Sequence, residues 1–167
     1  MVLVKRAFVL ALGCFLATNA NALTLGLAAF QSGAVAGDES TELIVSGAMD
    51  TFFDLGVIVT SARTKPLAEE DWGGFAPLVD KENRLDYILV LFAFYDASSS
   101  GVPILRRLKH RLFSAEGVFL LPSESVVVRP NLVAGGKNDV SRMLRSLGGN
   151  AAATYGAFFR SAMGGKK

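Results

Sequence analysis

The sequence is poor in the two residue types that most often build metal sites and nucleophilic centres. Its 167 residues include one cysteine and one histidine, Cys14 and His110. Because Cys14 lies in an amino-terminal segment that we expect to be removed, the remaining chain has no disulfide, thiol nucleophile or cysteine-ligated metal. A single histidine also argues against the usual zinc sites, which need several nitrogen or sulfur ligands. We predict no metal and no cofactor.

Recognisable catalytic motifs are missing too. The chain has no G-x-x-x-x-G-K-[ST] loop, no G-x-G-x-x-G fingerprint and no G-x-S-x-G nucleophile turn. Asp50 and Asp54 are one helical turn apart, which is more typical of a solvated helix face. Asp86 and Asp96 fall at opposite ends of one predicted strand, too far apart for joint acid–base action. The sequence therefore predicts a non-catalytic protein, with a small exported enzyme or small-ligand-binding protein as the alternative.

The amino-terminal segment predicts export. Lys5 and Arg6 precede an apolar stretch at residues 7–17, and Ala20-Asn21-Ala22 follows, which is the pattern of a secretory signal peptide. We predict a signal peptide at 1–22 and a single periplasmic or cell-envelope-associated domain of a bacterial protein at 23–167, with no transmembrane helix in the mature chain. Of 17 basic residues, 15 then remain against 15 acidic ones. This balance gives no support for nucleic-acid binding.

Two alternatives to cleavage stay open. Leu10-Ala11-Leu12-Gly13-Cys14 resembles a bacterial lipobox, so a protein lipid-anchored at Cys14 is one alternative. Apolar character also continues to Phe30, as in an uncleaved anchor, although Thr18 and Asn19 interrupt it. The small residues of Ala20-Asn21-Ala22 favour cleavage.

The apolar run at residues 86–96 predicts the central strand of the domain. Its nine uncharged residues are too few to cross a bilayer as a helix, which takes about 20. They are rich in Val, Ile, Phe and Tyr and do not alternate with polar residues, which is typical of a strand buried on both faces. We expect Leu89 and Leu91 to face one layer of helices, and Val90 and Phe92 to face another.

The pattern before this strand predicts a parallel crossover. Residues 23–30 begin with strand-like alternation, and residues 57–60 are a β-branched run. Between them, residues 39–55 have apolar side chains at helical spacing, with an N-cap at Asp38 and a C′ glycine at Gly56. Strand, helix and strand in this order predict a right-handed βαβ unit.

The segment between the crossover and the central strand is less regular. Residues 61–66 are expected to form a loop, and residues 67–81 a helix weakened by Gly73-Gly74 and Pro77. The only tryptophan, Trp72, falls here, and it is more typical of a partly buried packing residue than of a ligand platform.

The region 104–113 fits two patterns, because its leucines recur at helical spacing while its charged residues alternate in strand fashion. A predicted turn at 114–117 favours a hairpin of 104–113 with 118–128. A last helix is predicted from an N-cap at Asn138, with Gly148-Gly149 at a point where it can kink or split. The fold class that follows is α/β (α+β): a single domain with a mixed central sheet of about five strands packed with two to three helices.

Four stretches carry a resemblance to a known family. They are Leu-Thr-Leu-Gly-Leu-Ala-Ala-Phe at 23–30, Phe-Phe-Asp-Leu-Gly-Val-Ile-Val at 52–59, Leu-Asp-Tyr-Ile-Leu-Val at 85–90 and Phe-Ser-Ala-Glu-Gly at 113–117. With these elements in this order, the chain resembles the amino-terminal domain of the TolB family and the related periplasmic domains of curli-secretion-channel lipoproteins and of lipoprotein activators of cell-wall synthases. It departs from that pattern at Phe92-Ala93-Phe94, near a position where relatives usually carry a glycine. The resemblance implies a non-catalytic envelope domain that binds a protein partner, and it transfers no functional residue.

A run of basic residues is the best local candidate for binding. Its charge is suited to anionic lipid, to an acidic polymer or to an acidic face of an envelope or outer-membrane-associated protein, and we favour the protein. The residues predicted to bind this partner are Arg106, Arg107, Lys109 and Arg111. A solvated face balanced by the acidic residues at 69–71 is the alternative interpretation. We also expect the hairpin to form an edge of the sheet, where unpaired backbone groups can accept a partner strand.

Overall fold

The structure of the chain is a computed structural model that describes residues 22–33, 37–61, 65–66, 85–121, 124–127 and 137–164. Its elements are β1 (Thr24–Gly33), α1 (Asp38–Asp54), β2 (Ile58–Ser61), β3 (Lys65–Pro66), β4 (Tyr87–Ala97), β5 (Pro103–Ser114), β6 (Glu124–Val127), α2 (Lys137–Ala153) and α3 (Gly156–Gly164). The predicted signal peptide lies, except for Ala22, outside the described residues, as does the helix predicted at 67–81. Within the ranges given, no helix has the length and apolar character needed to cross a membrane.

The strands form one mixed sheet, which confirms the predicted fold class. The strand order is β2-β1-β4-β5-β6, and the two-residue β3 also pairs with β1. β1 is parallel to β2, β3 and β4, whereas β5 is antiparallel to both β4 and β6. The predicted crossover from β1 through α1 to β2 is confirmed, and β4 has the central place expected of the apolar run. Residues 61–66, predicted as a loop, instead contribute β3 where Lys65 pairs with Phe30.

α1 differs from the prediction at its start and agrees with it at its end. Gly37 is the N-cap, so Asp38 lies in the first turn, where the helix dipole favours its negative charge. The Asp38 carboxylate accepts a hydrogen bond from the Gln31 side-chain amide on β1. At the other end, Gly56 has a φ of 79°, a conformation that a side chain would strain, and it closes the helix as predicted.

Both faces of β4 are buried, as its unbroken apolar run predicted. Leu89 and Leu91 belong to the larger core cluster, to which α1, α2 and α3 all contribute buried residues. Val90 and Phe92 belong to a second cluster on the opposite face, with Phe30 and other residues of neighbouring strands. Among the described residues, this second cluster includes none from a helix. The second layer of helices that we expected there stays a prediction.

The final helical region is divided, but not at its glycine pair. α2 includes Asn138 in its first turn instead of at the N-cap and continues through Gly148-Gly149, and the break comes later, between α2 and α3. A Cβ at Gly148 would lie 1.8 Å from the carbonyl oxygen of Ile44 in α1, and one at Gly47 would lie 1.9 Å from that of Arg145 in α2. Glycine therefore serves close helix packing at this position, where the sequence had indicated a kink.

Candidate functional site

The predicted binding residues lie on β5, a strand and not a helix. β5 pairs with β4 along its length and with β6 at residues 107–110, which confirms the hairpin. Leu108 and Leu112 are fully buried in the core cluster that contains the helices. Side chains alternate along a strand, so Arg107, Lys109 and Arg111 project from the opposite face, where they are half-buried. We call these three residues the cationic band.

The hairpin forms an edge of the described sheet, as expected, but its basic strand is not the edge strand. β5 lies between β4 and β6, so its backbone at residues 107–110 is paired on both sides. In the described part of the chain, β6 is the outermost strand on this side. A partner can therefore meet the cationic band only through its side chains, because the backbone groups that strand addition requires are already used.

A β-bulge gives Arg106 a different position from the rest of the run. The pairing register shifts because Phe94 lies opposite Arg107 whereas Tyr95 lies opposite Leu105, so Arg106 is the extra residue. Bulges change the direction of a side chain, and they are frequent beside functional sites. Arg106 and Arg107 line the same open cleft of about 470 Å³, which we call the arginine cleft. Among the described residues, the others that line this cleft are Ser32, Gly33, Phe94, Tyr95 and Asp96.

Arg107 is positioned by a row of aromatic rings that runs along β4 and continues onto β1. Its guanidinium carbon lies 4.2 Å from the centroid of the Phe94 ring, a cation–π contact. Phe94 stacks on Phe92 with the ring centroids 4.8 Å apart, and Phe92 lies 6.3 Å from Phe30 on β1. The row therefore fixes a charged group above an apolar surface on the face opposite the described helices.

Arg106 is positioned by an ion pair. Its Nε donates a hydrogen bond of 2.8 Å to Oδ2 of Asp96, the residue near the end of β4. The side chains are 40% and 60% exposed, so solvent screens the pair and it adds little to stability. Its consequence is orientation, because it holds a second guanidinium at the mouth of the arginine cleft.

The cationic band continues away from the cleft beside further aromatic rings. The Lys109 ammonium lies 5.6 Å from the centroid of Phe94, and the Arg111 guanidinium lies 5.6 Å from that of Phe119. Phe119 is 49% exposed and bridges to β5 at Phe113. Lys109 and Arg111 of β5 thus each lie beside an aromatic ring from a neighbouring segment.

A buried polar network joins β1, β4 and α1 next to the arginine cleft. Tyr95 is 2% exposed, and its hydroxyl lies 2.8 Å from that of Thr41. Gln31 accepts hydrogen bonds from the Thr41 hydroxyl at 3.3 Å and from the Gly37 backbone N–H at 3.2 Å. Burial raises the pKa of Tyr95 to about 12, the Thr41 hydrogen bond opposes this rise, and the Asp38 carboxylate adds to it. The phenol therefore stays neutral near pH 7, and we interpret the network as structural.

His110 is separated from the cations by the thickness of the sheet. It is 1% exposed, and its Nδ1 lies 2.8 Å from the hydroxyl of Tyr155, which follows α2. The two rings meet edge to face, with centroids 5.5 Å apart. His110 therefore belongs to the core beneath the helices and does not contribute to the cationic band.

Three of the four aspartates considered for acid–base chemistry, Asp50, Asp86 and Asp96, have structural partners. Asp86 accepts hydrogen bonds from the Thr24 backbone N–H at 2.8 Å and from the Thr24 hydroxyl at 3.0 Å. Asp50 lies 3.8 Å from Arg145 of α2. The ranges that the structure describes hold no group of three or more His, Cys, Asp or Glu side chains arranged for a metal ion. Asp86 and Asp96 stand at opposite ends of β4, as their spacing predicted.

Several residues of this region were not anticipated from the sequence. Phe94 was seen only as part of an apolar run, although its alternation with Phe92 places both rings on one face. Ser32 lies far from the basic run in sequence, and Phe119 is indicated only as part of the predicted hairpin segment at 118–128. The side chains that become their neighbours are set by the pairing register between strands, which alternation does not encode.

Comparisons with known proteins place the chain near several bacterial structures. No protein-family model and no curated protein sequence matches it. A dodecameric PelC protein from Paraburkholderia phytofirmans is 13% identical, with a TM-score of 0.46 over 78% of this chain and 84% of that one. A DUF330 protein from Xanthomonas campestris is 15% identical, with a TM-score of 0.42 over 84% and 86% of the two chains. A lipoprotein from Neisseria meningitidis is 15% identical, with a TM-score of 0.44 over 80% and 99%. No function follows from likeness at this level, and the resemblance to the TolB family stays a prediction.

Proposed function

We propose that this chain is an exported, non-catalytic domain of the bacterial cell envelope that binds an acidic segment of a protein partner. The contact surface is the cationic band together with Arg106. The observation that carries the proposal is the placement of three cations on one face of β5, half-buried among aromatic rings.

The charge of this surface is local. The predicted mature chain has equal numbers of basic and acidic residues, so its net charge attracts no partner at long range. Alternate residues of a strand are about 6.6 Å apart, so the band concentrates three positive charges within a short length of β5. Such a row raises the potential over one face and steers an acidic partner into a defined orientation.

The aromatic rings add a second kind of contact. Phe119 is exposed beside Arg111, so an apolar ring borders the cationic band. Arginine and aromatic residues are the types most often responsible for affinity at protein interfaces. The surface therefore suits a partner whose acidic residues are interspersed with apolar ones.

The partner can be identified by photo-cross-linking in cells. A photoreactive residue at position 109 captures a protein that contacts the band, and mass spectrometry identifies it. The same residue at position 142, on the exposed face of α2, is the control. A protein captured from position 109 alone is the expected result.

Charge reversal then tests the band with the purified partner. Arg107→Glu, Lys109→Glu and Arg111→Glu together should slow association and flatten its dependence on salt, with the fold unchanged by circular dichroism. The matched control makes the same change of net charge on exposed arginines of α2 and α3: Arg142, Arg145 and Arg160. Equal association rates for both variants and the unaltered protein would mean that the band is a solvated face.

A further inference from the structure

We propose that the arginine cleft binds the oxyanion group, a carboxylate or a phosphate, of a small molecule. The inference goes beyond partner docking and rests on different observations: the bulge at Arg106, the fixed positions of two guanidinium groups and the shape of the cleft.

The β-bulge brings Arg106 and Arg107 to the same cleft. In a regular strand the side chains of Arg106 and Arg107 would point to opposite faces of the sheet. The register shift opposite Phe94 and Tyr95 removes that alternation, and both arginines line one cleft. Paired guanidinium groups match the geometry of carboxylates and phosphates, because each presents a planar fork of N–H donors.

Contacts within the protein orient both guanidinium groups before any ligand binds. The Phe94 ring holds Arg107 at 4.2 Å, and Asp96 holds Arg106 through a hydrogen bond of 2.8 Å. Side chains that are already fixed lose less conformational entropy when a ligand binds.

The arginine cleft lies at an end of the sheet where ligands commonly bind. β1 and β4 are parallel, and the cleft lies at their carboxyl ends, at Ser32 and Gly33 of β1 and at 94–96 of β4. Ligands of α/β proteins bind preferentially outside the carboxyl ends of parallel strands. Gly33 has a φ of 134°, and a Cβ there would lie 1.9 Å from the carbonyl oxygen of Tyr95, so only glycine fits at this point of the cleft.

The size of the cleft defines the ligand class. A volume of about 470 Å³ falls within the range of small-molecule sites, roughly 300–1,000 Å³. The cleft is open to solvent, so it suits a ligand of modest affinity bound by its anionic end. Carboxylate and phosphate share this recognition chemistry, and two probes separate them.

The test titrates the mature chain with succinate and, separately, with inorganic phosphate, and follows binding by NMR of backbone amides and arginine side chains. Saturable binding of at least one probe is expected, with a Kd below about 1 mM. Arg106→Gln should weaken that binding about tenfold, because it removes one charged donor group. Arg107→Lys should also weaken it, because it retains the charge and loses the fork. Arg142→Gln, on exposed α2, is the control and should bind as the unaltered protein does.

Binding of succinate alone assigns a carboxylate ligand, and binding of phosphate alone assigns a phosphate ligand. Absence of saturation with both probes at about ten times that Kd would overturn the proposal. Unchanged affinity in both Arg106→Gln and Arg107→Lys would overturn it as well. Lys109→Glu with Arg111→Glu separates the two functions, because this pair should impair partner docking while anion binding persists.

Discussion

Gly47 of α1 and Gly148 of α2 lie at the point where the two helix backbones come into contact. A Cβ on either residue would fall less than 2 Å from a carbonyl oxygen of the opposite helix. The absence of side chains at this crossing lets α1 pack closely on α2, so that Ile44 and Leu144 both enter the core cluster over the sheet.

Gly148→Ala is expected to lower the free energy of unfolding by on the order of 1–3 kcal/mol, because the added methyl group overlaps backbone atoms that cannot rotate away. This loss should appear even though alanine favours a helix by about 1 kcal/mol over glycine. Urea denaturation measures it. Gly164→Ala is the control, since a Cβ there meets no atom within 4 Å. Equal stability of the two variants would contradict the close crossing.

Tyr155→Phe removes the hydrogen bond to Nδ1 of His110 without removing the ring. Because both residues are buried, we expect the free energy of unfolding to fall by about 1–3 kcal/mol. Tyr87→Phe is the matched control, since Tyr87 is half-buried edge-on against Phe158 and Phe159. Chemical denaturation of the two variants at neutral pH makes the comparison. A larger loss of unfolding free energy in Tyr87→Phe than in Tyr155→Phe would show that the His110–Tyr155 hydrogen bond is not the stronger contact.

Because its phenol is buried, Tyr95 should make the folded protein less stable in strong alkali. Its pKa is raised to about 12 in the folded chain from a usual value of about 10, so the folded state retains a proton that the unfolded state releases. The neutral phenol's contribution to the free energy of unfolding is fully present below pH 10 and is lost as the pH rises towards 12. The total loss is on the order of 2–3 kcal/mol. Tyrosinate absorbance should show a phenol that titrates late, and Tyr95→Phe should remove that step. A late step that persists in Tyr95→Phe would assign it to another residue.

Truncation on either face of β4 should be costly. Leu91→Ala and Phe92→Ala each remove a buried side chain, one from each core cluster, and each should lower the free energy of unfolding by on the order of 2–5 kcal/mol. Val102→Ala, at a residue that is 57% exposed, should have little effect. Thermal and urea denaturation provide the values. If Phe92→Lys folds with normal stability, the second face of the sheet is open.

Cleavage at the predicted signal site would leave the sheet intact. Cleavage after Ala22 would make Leu23 the first residue, and β1 begins at Thr24. Intact mass spectrometry of the exported protein should give a chain that begins at Leu23, unchanged in a Cys14→Ser variant. A diacylated species that begins at Cys14 would instead assign a membrane-tethered lipoprotein.

Local pattern determined the main elements of this fold. An unbroken apolar run placed the buried central strand, helical spacing before Gly56 placed α1 and its end, and a turn at 114–117 placed the hairpin. Each of these features depends on residues within a few positions of one another, so sequence periodicity and backbone preference are sufficient to predict it. The basic residues of β5 were found for the same reason.

Tertiary structure alone decided how these elements meet. The bulge that turns Arg106 into the cleft, the register that sets Phe94 opposite Arg107 and the burial of His110 against Tyr155 all join residues distant in the chain. The same is true of Gly148, whose role depends on the helix opposite it. The packing of the whole core fixes the pairing register of the strands and the contacts between the helices. Each segment can pack against several others, so no local pattern encodes the outcome.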